Sequence, residues 1–147
     1  MKKFNFSLRA VKEYKEKLLE NLVLEHSVIL AAIAEQKKLI QGMEDTEKLV
    51  NDELNEKNRK GITPYELMNY QRYIKALQND IRLEYEKLGK LEKAEEKKRE
   101  EVIEMKKETS SLEKLEEKKI KEYNSIVQKA EELFVEEFVV NKKYARR

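Results

Sequence analysis

The chain has 147 residues, 42% of them charged, and 32 basic against 30 acidic side chains leave a net charge of only +2. More than half of its residues are Ala, Glu, Lys, Leu or Arg, the composition of long helices and coiled coils. Three Gly and one Pro are too few for sandwiches, barrels or doubly wound sheets, which need turns every dozen residues or so. Near-balanced charge with regularly recurring apolar residues argues against intrinsic disorder. Absence of Cys removes disulfides, thiolate nucleophiles and thiolate metal sites. The longest apolar run, Val28 to Ala34, is far short of the roughly 20 residues that span a bilayer. The two N-terminal lysines precede no apolar signal-peptide core, so action inside the cell is expected.

The fold class expected is all-α, two long helices forming an antiparallel coiled-coil hairpin whose second helix is the longer. The first helix spans about 7–60. Heptads from Leu8 place Leu8, Leu22, Ile29, Met43 and Val50 at a, and Val11, Leu18, Ala32 and Leu39 at d. A turn follows at about 61–63. Gly61 suits a left-handed C-cap, Thr63, Pro64 and Glu66 fit N-cap, N1 and N3 of a capping box, and Ile62 with Leu67 has the spacing of a hydrophobic staple. The second helix spans about 64–142, in one heptad register from Leu67 through Leu77, Leu88, Met105, Leu112 and Tyr123 to Val140. Helices of this length extend roughly 75 Å and 115 Å, so a single elongated rod is expected over 1–147.

Folding about residue 61 sets residue n of the first helix opposite about residue 122 minus n. Some 25 residues of the second helix then overhang, among them Tyr123, Ile126, Val127, Leu133, Phe134, Phe138 and Val139, too apolar to stay wet along a lone helix. A second surplus lies at Leu18–Ala34, which is mostly apolar where Glu92–Lys107 opposite is mostly Glu and Lys. Close to the turn the seam from Leu67 to Leu91 is apolar except for Glu84, so the turn end is expected to be the stable end.

No catalytic or metal-binding constellation emerges, and neither an enzyme nor a cofactor is expected. His26 is the only histidine and finds Ile29 and Leu30 at i+3 and i+4, so it reads as an e-position residue with no ligand partner. Carboxylate pairs such as Glu95 and Glu96 sit on solvated faces without the dry, concave site that acid and base work requires. The basic tail of Lys142, Lys143, Arg146 and Arg147 is not continued by a basic stripe, which disfavours nucleic acid. Tyr73, beside the seam with Leu77 and Asp80, fits either a protein anchor or edge packing within the hairpin.

Phe4, Phe6, Ser7, Leu8, Val11 and Tyr14 resemble the N-terminal signature of the flagellar FliJ family, in which alternating aromatics precede a long helix. Gly61, Ile62 and Pro64, then Asn69, Tyr70, Gln71, Tyr73, Ile74 and Leu77, extend the resemblance, and Glu132, Phe134, Glu136, Glu137 and Phe138 look like the family's C-terminal segment, with Glu136 where Asp is common. The resemblance implies a cytoplasmic stalk component of the flagellar type III export apparatus, similar to the central stalk of rotary ATPases and held at the membrane only through partners. Its implied partners are the hexameric export ATPase, the membrane export gate and export chaperones. The ring is implied to take the terminal end, here Phe4, Phe6, Tyr123, Leu133, Phe134 and Phe138. The gate is implied to contact Tyr73, Leu77, Asp80 and Glu84, of which the last two depart from the family's apolar character. A self-associating coiled coil and the equivalent stalk of a virulence secretion system are the competing readings.

Overall fold

The computed structural model describes residues 2–145, which form α1 (Arg9–Lys60) and the longer α2 (Pro64–Ala145), packed against each other with no strand among the described residues. Two compact units divide the chain. Asn21–Val102 form a turn unit, and Met1–Glu20 with Ile103–Arg147 form a terminal unit.

In the turn unit, α1 ends on Lys57, Arg59 and Lys60, whose charges suit the negative end of the helix dipole. Gly61 then takes φ 108°, a conformation that side chains with a Cβ avoid. The Thr63 hydroxyl accepts a hydrogen bond from the Glu66 N–H at 3.2 Å, capping α2. Ile62 and Leu67 are both half-buried beside it. The two helix segments run antiparallel in close to the turn-centred relation: Gln36 meets Glu84 and His26 meets Glu95, each within two residues of the expected opposite position.

Burial along α2 follows the expected heptad positions, Leu67, Tyr70, Ile74, Leu77, Ile81, Glu84, Leu88 and Leu91 all being buried or half-buried. In α1 the expected a positions Leu22, Ile29, Gln36, Met43 and Val50 face the seam, but its other row lies one residue later than expected. His26, Ile33, Ile40, Glu47 and Leu54 take the places assigned to Glu25, Ala32, Leu39, Thr46 and Glu53. His26 is therefore a seam residue rather than an e-position bystander. The best-packed region is Ile33, Ile40 and Leu88, flanked by Ile29 and Leu91. It does not lie at the turn, since nothing from residue 41 to 80 is fully buried. There the seam side chains Met43, Val50, Leu54, Leu67, Tyr70, Ile74 and Leu77 are only half-buried, and α1 supplies Asn51, Asp52 and Asn55 beside them.

Polar residues in the seam are partnered across it. His26 Nε2 lies 3.0 Å from Glu95 Oε1, Gln36 Nε2 donates to Glu84 Oε2 at 2.5 Å, and Gln78 Nε2 donates to Glu47 Oε1 at 2.8 Å. Lys98 bonds Glu25 at 2.8 Å from the seam edge. The terminal unit repeats the device, with Lys12 on Glu116 at 2.6 Å and Lys15 on Glu108 at 3.0 Å. No buried side-chain nitrogen or oxygen among the described residues lacks a partner, as a polar seam requires.

These bonds set the pH response. Hydrogen bonding to Glu116 raises the Lys12 pKa above its ordinary 10.5, and bonds to Glu25 and then Glu101 raise that of Lys98. A raised lysine contributes stability that is complete below pH 10.5 and is lost as pH climbs through the raised value. Glu84 is held below its ordinary 4.5 by hydrogen bonds from Gln36 and then Lys87, so its contribution is complete above pH 4.5 and is lost as pH falls through the lowered value. Thermal melts followed by circular dichroism should show a plateau between those limits with a decline at each end. Replacing Glu84 with Gln should remove part of the acid decline.

Candidate functional site

In the terminal unit, Phe6 is only 3% exposed and its carbonyl accepts the Arg9 N–H at 3.1 Å, so the segment before α1 folds back and starts the helix at Arg9 rather than near residue 7. The Phe4 and Tyr123 rings meet at 5.7 Å between centroids, and the Tyr123 hydroxyl donates to the Lys2 carbonyl. Tyr123 is thus the last residue of α2 with an N-terminal partner in those contacts. From Asn124 to Ala145 every residue except Val127 is exposed.

That exposed length carries Leu133 at 60%, Phe134 at 70% and Phe138 at 59% exposure. Spacing of three or four residues lines up Val127, Ala130, Phe134 and Phe138 along one stripe, and a shallow groove runs along it beside Glu131 and Val135. Val135 and Tyr144, absent from the overhang residues and heptad positions named from the sequence, are also exposed, as is Val140 at the end of the heptad register. Their signal was the apolar content of the overhang as a whole. Glu131, Glu132, Glu136 and Glu137 border the apolar residues, with Lys142 and Lys143 at the end. Lys142 Nζ lies 6.0 Å above the Phe138 ring. Arg146 and Arg147 of the expected basic tail lie outside the described residues.

The six residues expected at the terminal end therefore separate into two groups. Phe4, Phe6 and Tyr123 pack within the unit and order the N-terminal segment. Leu133, Phe134 and Phe138 remain free to meet something else.

In the turn unit, the four residues expected at a gate surface divide likewise. Tyr73 is half-exposed and walls a shallow groove with Val50, Glu53, Asn69 and Tyr70, while Asp80 is exposed beside Leu83 and Met43. Tyr70 is held from outside the seam, its hydroxyl donating to Glu53 at 3.0 Å and its ring lying 5.1 Å below Lys57 Nζ. Leu77 is half-buried at a seam position, and the Glu84 carboxylate is taken by Gln36 and by Lys87 at 3.1 Å. Tyr65, Met68 and Leu83 are further exposed apolar side chains of this stretch.

No group of three or more His, Cys, Asp or Glu able to hold a metal occurs among the described residues. His26 and Glu95 form a two-membered pair whose nearest further charge is Arg99, 3.9 Å from Glu95, an arrangement suited to fixing the helix register. No described helix is long and apolar enough to cross a membrane.

A family model described as the flagellar FliJ protein matches residues 4–147. No curated protein and no solved structure matches the chain.

Proposed function

The chain belongs to the flagellar FliJ protein family, which makes it a component of the flagellar export apparatus, and we propose that it serves there as a non-enzymatic stalk. The exposed end of α2 enters the ring of the hexameric export ATPase. Tyr73 and its groove meet the membrane export gate, and export chaperones bind the same protein in turn. The proposed place of action is the cytoplasmic base of the flagellum, with membrane association only through these partners. One observation carries the reading: the apolar side chains of Leu133, Phe134 and Phe138 are left uncovered within the terminal unit of a chain whose family is a structural stalk component. The flagellar description of the matching family favours this machine over a virulence secretion system.

Affinity capture with the full chain from its source cell tests the proposal, with the export ATPase and the gate protein expected among the retained proteins. Their absence under conditions that retain other partners overturns it. For the gate contact, Tyr73→Ala with Asp80→Ala is the informative pair, because Leu77 and Glu84 are engaged within the hairpin. Removing an exposed aromatic anchor should weaken gate binding about tenfold while leaving helicity unchanged. Titration of the purified gate domain, with circular dichroism on the same samples, checks both.

A further inference from the structure

Between Leu22 and Ala34, α1 is apolar or small around almost its whole circumference, yet α2 covers only the side bearing Leu22, Ile29 and Ile33. Val23 is 43% exposed, Leu24 64%, Val28 68% and Leu30 46%. A helix apolar all round is normally buried on every side. We infer that this outer face of α1 docks a second copy of the chain, α1 against α1, antiparallel about a two-fold axis near residue 29.

The pattern of sizes argues for a second copy over any other occupant. Positions 24, 27, 31 and 34 alternate by three and four residues along the face and hold Leu24, Ser27, Ala31 and Ala34. In an antiparallel pair centred at 29, Leu24 fills the space over Ala34 of the other copy, and Ser27 meets Ala31. Large residues thus oppose small ones on both sides of the axis, as an isologous contact demands, and the small residues at the crossing allow close backbone approach. The Ser27 hydroxyl is already spent on the Leu24 carbonyl at 2.7 Å, so it brings no unsatisfied donor. The charges along α1 agree: Glu20 precedes the face and Lys37 and Lys38 follow it. An antiparallel pair sets Glu20 against Lys38 twice, whereas a parallel pair sets like against like.

About seven residues a side is well below the 20 to 30 of a standard interface, so the dimer should be weak, with half-association at roughly tens of micromolar. Sedimentation of the full chain across that range is expected to show a monomer–dimer equilibrium. Val28→Glu should leave it monomeric with an unchanged helical spectrum, since Val28 is exposed. Geometry is read by cross-linking, which the absence of native Cys makes unambiguous. Chains carrying Ser27→Cys and chains carrying Ala31→Cys, mixed and oxidised, should link to each other. Neither should link to itself, because like positions stand about 6 Å apart along the axis in addition to the helix separation, beyond disulfide reach. A chain that stays monomeric at about 1 mM, a dimer indifferent to Val28→Glu, or preferential linking of either variant to itself overturns the inference. Ring and gate binding use other residues, so their loss or survival bears only on the stalk proposal.

Discussion

Deletion of residues 128–147 should abolish binding to the export ATPase ring and any stimulation of its hydrolysis, while the remaining chain stays helical. The cut falls after Val127 for a structural reason. A deletion from 121 would also remove Tyr123, stripping the ring that packs on Phe4 and exposing the N-terminal segment that Phe6 anchors. Loss of ring binding would then have two explanations. Cutting after Val127 removes residues of which all those described, 128–145, are exposed, so the effect reports the partner surface alone. Point variants refine it. If Phe134 and Phe138 act as anchors, truncating each to Ala costs about 2 kcal/mol of binding, and both together weaken the complex roughly a thousandfold. Their exposures of 70% and 59% leave little folding stability to lose. Co-sedimentation with the assembled ring and a steady-state ATPase assay measure the outcome. Unchanged ring binding after the deletion refutes the terminal-end assignment.

Much of this architecture is legible in the sequence, and the part that is not has an identifiable cause. Thr63, Pro64 and Gly61 announce the turn because each solves a local backbone problem that few other residues solve. The α2 register follows from isolated apolar residues such as Leu77, Ile81 and Leu88, which admit only one reading. In α1 the apolar residues come as doublets, Leu18–Leu19 and Leu39–Ile40, with Ala32–Ile33 between them. The row from Val11 to Glu53 and the row from Lys12 to Leu54 each hold four apolar residues in seven, so counting apolar positions does not choose between them. Polar complementarity does. The later row brings Lys12 to Glu116, His26 to Glu95 and Glu47 to Gln78, and the earlier one forfeits all three bonds. His26 finds no partner at i+3 or i+4 on its own helix because its partner, Glu95, lies across the seam. Leu77 and Glu84 carry two readings in the sequence, as seam positions and as implied partner contacts, and the structure has Leu77 half-buried in the seam and the Glu84 carboxylate bonded to Gln36 and Lys87.

Replacing the half-buried polar pairs of the turn unit by leucines, His26→Leu with Glu95→Leu and Gln36→Leu with Glu84→Leu, is accordingly expected to make the protein more stable and less singular. The side chains of the His26 and Glu95 pair keep only 20% and 18% exposure, so each is partly desolvated and its bond returns little net energy. Apolar exchange of such partly desolvated pairs is often neutral or stabilising, because the desolvation cost is removed with the polar groups, so the four-leucine variant should melt above the parent. What the pairs supply is register. With Leu at 26, 36, 84 and 95, the seam becomes a nearly uninterrupted apolar row in which a slip of one heptad loses far fewer bonds. Disulfide trapping between cysteines placed at Ile33 and Ile81, a heptad out of register in the parent seam, should then appear beside trapping between Ile33 and Leu88, whereas the parent seam should trap only the latter pair. A four-leucine variant that melts lower than the parent, or that still traps one register only, would show that these bonds contribute stability rather than uniqueness.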